Sequence, residues 1–172
     1  MLKTFFSLFL IFSSSLALGG YEDTNWGNSL KSIQQKYPNG KLTNNPNEPI
    51  EYSLTRTVAG YKNATIKFKF NQKKELYTVG IAFLDPMTNK DFAEKMKEDL
   101  KDKLQKKYKV EPSKQTSPDN DDFAYVWNLA NNDLIILSKN SILKVGWALV
   151  IIYSNADNKD LKEEVMNDTK GL

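Results

Sequence analysis

The spacing of apolar residues changes period several times along the chain, and each change marks an element. Leu30, Ile33 and Tyr37 fall at helical spacing behind Asn28 and Ser29, either of which is a natural N-cap, and Pro38-Asn39-Gly40 closes that short helix. A polar stretch rich in Asn and Pro reads as a loop to Pro49. Alternation then begins. Ile50, Tyr52, Leu54 and Val58 share one face of a strand and Glu51, Ser53, Thr55 and Thr57 the other. Ala64, Ile66, Phe68 and Phe70 alternate with Thr65, Lys67 and Lys69, and Tyr77, Val79, Ile81 and Phe83 supply a third apolar face. Residues 50–84 therefore read as a three-stranded antiparallel meander, which Asp85-Pro86 is expected to stop.

Thr88 or Asn89 can cap a long helix reaching Tyr108, with Phe92, Met96, Leu100, Leu104 and Tyr108 as its apolar stripe. Its other positions are mostly Lys, Asp and Glu, arranged in i,i+4 pairs such as Asp91 with Lys95, Asp99 with Lys103 and Asp102 with Lys106. A solvated face is the expected role of these charges. Residues 109–122 read as a polar loop. Phe123, Tyr125, Trp127 and Leu129 then alternate, Leu134 to Leu137 is apolar on both faces, and Lys139-Asn140-Ser141 reads as a turn. Leu143 to Tyr153 alternates again, with Ala148, Val150 and Ile152 also apolar, so this strand is expected at the centre of a sheet or covered on both sides. A short terminal helix carrying Leu161 and Val165 follows.

The two halves repeat one order, helix then three strands, over residues 26–84 and 88–153. Ile33-Gln34-Gln35-Lys36-Tyr37 matches Leu104-Gln105-Lys106-Lys107-Tyr108 at the helix ends, and Val79-Gly80-Ile81-Ala82-Phe83 matches Val145-Gly146-Trp147-Ala148-Leu149 in the third strands. The expected fold is α+β: an antiparallel sheet from two α-βββ repeats, helices packed on one face, and the short C-terminal helix. This order, with the Trp26-Gly27-x-Ser29 opening and the Phe70-Asn71-x-x-x-x-Leu76 turn, resembles the β-lactamase-inhibitor-protein-like class of small exported bacterial domains. The resemblance implies a sheet with both helices on one face and a binding role; it implies no particular ligand.

Ahead of the first helix, Lys3, the apolar run from Phe5 to Phe12 and the small residues Ser15, Ala17 and Gly19 have the layout of a cleavable secretory leader over residues 1–19. The run is far shorter than the ~20 residues a membrane span needs. The chain has no Cys for lipidation, so a secreted or periplasmic domain over residues 20–172 is expected, without a membrane span. That length suits one domain. With no disulfides, apolar burial must stabilise it, and an aromatic content of 12% makes this feasible.

The 24 basic and 21 acidic side chains nearly balance and interleave, which argues against nucleic acid as a partner. The absence of both His and Cys removes Ser-His-Asp and Cys-His catalysis, thiol redox chemistry and the common zinc and haem ligand sets. A carboxylate pair, as in glycoside hydrolases, remains as the enzymatic alternative. Asp119, Asp121 and Asp122 could offer oxygens to Ca²⁺ but lack the glycine and distal Glu of an EF-hand, and a solvated loop is the expected role. No catalytic residue, metal or cofactor is expected.

Trp127 and Trp147 share the alternation of core residues, and Trp26 is expected to staple the start of the first helix. The candidate binding surface is the outer sheet face, grading from Thr55, Lys67 and Lys69 to Val126, Ile135 and Val150. The function expected is therefore a non-enzymatic exported binding or interaction domain of unknown ligand, its partner either a protein or a small apolar molecule. A carrier of a small apolar ligand held between sheet and helices is the alternative; the sequence sets no oligomeric state.

Overall fold

The computed structural model describes residues 21–46, 48–87, 89–116, 123–142, 146–157 and 159, with backbone alone at 84–87 and at 141 and 142. The leader, the Asp119 to Asp122 run and the expected terminal helix lie outside these residues. The fold is mixed α+β with the sheet dominant. Its elements run α1 (Leu30–Lys36), β1 (Lys41–Thr43), β2 (Ile50–Val58), β3 (Tyr61–Phe70), β4 (Leu76–Met87), α2 (Lys90–Tyr108), β5 (Ser113–Thr116), β6 (Phe123–Asn128), a 3₁₀ turn (Ala130–Asn132), β7 (Asp133–Ile142) and β8 (Gly146–Asn155).

All eight strands form one antiparallel sheet in the order β1-β2-β3-β4-β8-β7-β6-β5. Strand β8 is central, as its two apolar faces predict, and pairs with β4 through Ile81↔Ile151 and Val79↔Tyr153. Each helix is followed by four strands, one more than expected. The extra members, β1 and β5, are short edge strands exposed at every position. With water on both faces they have no apolar alternation for a sequence reading to find. Two further boundaries move. Strand β4 continues through Asp85-Pro86 to Met87, with a register shift between Phe83 and Met87 that lets a proline sit in the strand. The polar trio Lys139-Asn140-Ser141 is not a turn, because β7 pairs with β8 unbroken from Asp133↔Asn155 to Ile142↔Gly146.

Register sets the two faces of the sheet. Leu54, Ile66, Ile81, Ile151, Leu137 and Tyr125 form one inward row, and Tyr52, Phe68, Val79, Tyr153, Ile135 and Trp127 the next. Both helices bury their apolar residues against this face: Leu30 and Ile33 of α1, and Ala93, Met96, Leu100 and Leu104 of α2, join the same core cluster. Helix α1 is held in place by the turn between β3 and β4, where the Leu30 amide donates to the Lys74 carbonyl at 3.0 Å and the Leu76 amide to the Asn28 carbonyl at 2.9 Å. Ser29 caps α1 and Asn89 caps α2.

The stripe of α2 departs from expectation at its first turn. Phe92 is 53% exposed and Ala93 is buried in its place. A strict four-residue step drifts ~40° around the helix each time, so residues 92 and 108 cannot both face the sheet that Leu100 faces. Of the paired charges on α2, Asp99 and Lys103 meet at 2.6 Å, whereas Asp102 pairs with the adjacent Lys101 at 3.0 Å.

Candidate functional site

On the outer face, one row crosses the sheet as Ser53, Lys67, Gly80, Ile152, Ile136 and Val126, and a second as Thr55, Thr65, Ala82, Val150 and Ser138. The first row passes from polar to apolar residues, whereas the second ends on Ser138. Thr55 is exposed, Lys67 is exposed and 3.0 Å from Glu51, and Lys69 and Val150 are half-buried. Two expected members do not form an open patch. Ile135 points inward opposite Trp127, is 1% exposed and belongs to the core; Ile136 takes its place on the outer face. The strand runs apolar on both sides there, so alternation alone leaves the choice of face open. Val126 lies on the outer face but is only 4% exposed.

The inner side holds a cleft that the apolar pattern does not announce. It measures about 240 Å³ and opens between α2 and the segment leading into α1. Leu100 and Leu104 of α2, Val58 at the end of β2 and Ile151 of β8 supply its apolar surface, with Tyr153 beside Ile151. Lys103 and Lys107 stand along the α2 side, one helical turn apart, and Tyr21 and Glu22 along the other.

Tyr21 is fixed by its own turn, in which its amide donates to Thr24 Oγ1 at 3.0 Å and the Thr24 hydroxyl donates back to the Tyr21 carbonyl at 2.7 Å. Its ring lies 5.9 Å from that of Tyr153. Behind this wall sits Arg56, the only arginine among the 172 residues. Its guanidinium donates to the Tyr21 hydroxyl at 2.7 Å, forms an ion pair with Glu22, and lies 5.4 Å and 5.8 Å from the ring centres of Tyr21 and Tyr37. Tyr37 donates to the second Glu22 oxygen at 3.0 Å. Partial burial on its own would raise the Glu22 carboxyl; the Tyr37 hydrogen bond and the Arg56 charge outweigh it and hold the group below the usual carboxylate range. Burial pushes the Tyr153 hydroxyl well above the ordinary tyrosine value, and neighbouring Tyr108 adds to the effect. At neutral pH the cleft wall thus presents a neutral phenol and a carboxylate already engaged.

Opposite Tyr21 and Glu22, Lys103 donates to Asp99 at 2.6 Å and to the Ala59 carbonyl at 2.9 Å, using two of its three N–H bonds. Lys107 rests 5.0 Å from the Tyr108 ring centre and has no ion-pair partner among the described residues. Glu22 is the one carboxylate among the described residues lining the cleft. Among the described residues no group of three or more Asp or Glu side chains is placed to hold a metal ion.

Sequence reasoning missed Arg56, Lys97 and Lys139, though a signal for two of them exists. Arg56 and Lys139 lie at opposite ends of the inward row Arg56, Ala64, Phe83, Leu149 and Lys139. A cation on an otherwise apolar strand face asks for a buried partner. Arg56 finds Glu22 and two phenol rings; Lys139 finds Glu94 and the Trp147 ring at 4.7 Å. Lys97 is fully buried on α2, donating to the Phe123 carbonyl with its ammonium 4.0 Å from the Phe123 ring centre. Comparison with known proteins finds no matching family model, no similar curated protein and no similar solved structure.

Proposed function

We propose that the protein is an exported, non-enzymatic binding domain that holds a small ligand in the cleft between α2 and the Tyr21-Glu22 segment. The observation that carries this reading is the combination in one concavity of an apolar floor (Val58, Leu100, Leu104, Ile151) with a polar rim (Tyr21, Glu22, Lys103, Lys107). Binding sites for small molecules have this composition. The cleft lies between α2 and the sheet, on the side of β8 and the end of β2. Export is supported by the leader layout of residues 1–19, and a binding role by the resemblance to small exported inhibitor-like domains. A duplication of helix plus strands accounts for the helix and four strands in each half and for a sheet order that runs outward from β4 and β8 in both directions. The non-enzymatic reading is supported by Glu22, which is the single carboxylate among the described residues of the cleft and is already engaged with Arg56 and Tyr37.

A protein partner on the outer face is the second reading, favoured by the adjoining Ile136, Val150 and Ile152, all half-buried. Amide chemical-shift mapping against a small-fragment library separates the two. Shifts concentrated at Val58, Leu104 and Ile151 are expected. Shifts confined to Thr65, Lys67 and Val150 would transfer the function to the outer face and end the cleft reading.

A further inference from the structure

The cleft is more specific than an apolar hole, and its size and charge narrow the ligand. At about 240 Å³ it falls below the ~300–1,000 Å³ usual for drug-sized ligands, so it takes a small molecule or one short chain rather than a folded segment or a two-tailed lipid. A bare hydrocarbon would satisfy the floor but leave the α2 rim unanswered. The charges around the opening do not cancel. Arg56 neutralises Glu22, and Asp99 neutralises Lys103, which among the described residues lining the cleft leaves Lys107 as the uncompensated charge. Lys103 and Lys107 are adjacent on one helix face and both line the opening, and Lys103, whose ammonium also lies 5.0 Å from the Tyr61 ring centre, has one N–H beyond its bonds to Asp99 and Ala59. Together they can hold an anionic head at the mouth while a tail lies along Leu100, Leu104 and Ile151. The Tyr153 phenol sits at the inner end, where it remains neutral and does not repel an anion.

We infer that the ligand class is a short-chain alkyl carboxylate, its carboxylate held by Lys107 and Lys103 and its tail packed on the cleft floor. This rests on the cleft being the binding site, as proposed above. Selectivity for the anion arises at Lys107. The tail supplies non-directional apolar contact, so chain length is limited by the volume of the cleft rather than by a recognised group.

The test uses the full secreted protein and three probes, octanoate, octanol and acetate, read by calorimetry and by amide chemical shifts. Octanoate is expected to bind with a dissociation constant on the order of 1 mM, as suits so few heavy atoms. Octanol should bind at least ~5-fold more weakly, the worth of one charge-assisted contact at a partly exposed site, and acetate should give no measurable binding. Lys107→Met keeps the stem and removes the charge, so it should erase the preference for octanoate over octanol while leaving the melting midpoint in place. Val58→Trp drives a bulky ring into the cleft from a half-buried strand end and should abolish binding of both probes. If octanol equals octanoate in the unaltered protein, or Lys107→Met keeps the preference, the carboxylate assignment is wrong while the cleft stands. If a folded Val58→Trp protein still binds both probes, or neither probe binds the unaltered protein, the cleft reading itself falls.

Discussion

The indole Nε1 of Trp26 donates to Asp133 Oδ1 at 2.7 Å, joining the start of the first helix to the start of β7 across 107 positions of chain. Asn155 donates to the same oxygen at 2.8 Å, while Asp133 Oδ2 is buried without a hydrogen-bond partner among the described residues. Trp26 is thus more than an apolar staple on α1, because it satisfies a carboxylate that is 5% exposed. Trp26→Phe keeps most of the apolar contact and removes the donor. It should cost about 1–3 kcal/mol in urea unfolding, the penalty of leaving a buried charged acceptor short of a bond. Asp133→Asn combined with Trp26→Phe should cost less than the two single losses added together, since the partner to be orphaned is no longer ionised.

Arg56 and Glu22 should make stability depend on acid. The folded Glu22 carboxyl lies below its unfolded value of ~4.3, so its contribution is complete at neutral pH and disappears as pH falls through the folded pKa. Glu22→Gln should therefore be less stable than the unaltered protein at pH 7 by about 1 kcal/mol, modest because the pair is partly exposed. The gap should close in denaturant titrations repeated at successively lower pH below ~4. A gap that stays constant across that range would assign the effect to packing and not to the ion pair.

Tyrosines respond with the opposite sign. Burial raises Tyr21, Tyr37 and Tyr153, while Tyr61 and Tyr125 are pushed up to about 12, by burial first and then by hydrogen bonds to Asp99 and Glu98. The folded state favours the neutral phenols, so this contribution is present below ~10 and is lost as pH climbs through the folded values. Tyrosinate absorbance should show most of the eight tyrosines of the folded protein ionising later than those of the chain in denaturant. The same titration should coincide with loss of tertiary signal.

Gly40 is required for contact and not for backbone freedom. Its amide donates to the Tyr52 hydroxyl at 2.8 Å, and a Cβ at that position would fall 2.3 Å from Tyr52 Cζ. Tyr52 in turn donates to the Tyr37 carbonyl at the end of α1. Gly40→Ala must displace a buried ring and is expected to cost about 1–3 kcal/mol, measured as a lowered urea midpoint with unchanged slope.

How much of this was legible in the sequence follows from what each residue must satisfy. The long strands announced themselves because one wet face and one dry face impose a period of two, and Ile66, Phe68 and Phe70 show it cleanly. Helix α2 was legible from Asn89 to Tyr108 for the same kind of reason. Lys41 to Thr43 and Ser113 to Thr116 were hidden because an edge strand wet on both sides needs no pattern. Ile135 was misplaced because Leu134 to Leu137 are apolar at every position, and only pairing with Trp127 fixes the face. The cleft was illegible as a whole, since Tyr21, Val58, Lys107 and Tyr153 converge through tertiary packing. Arg56 and Lys139, cations where β2 and β7 call for apolar residues, were the hints that polar groups lay beneath the helices.

The position of β8 bears on how the chain can be made. It is the last strand described, yet it lies in the middle of the sheet, with β4 on one side and β7 on the other. During vectorial synthesis or passage through a narrow pore, β1 to β4 and β5 to β7 emerge first, and each group ends in an open strand edge that nothing yet fills. The molecule closes only when residues 146–155 arrive and hydrogen-bond to both groups at once. Completion of the sheet therefore waits for β8, and until it arrives neither group of strands has its partner edge.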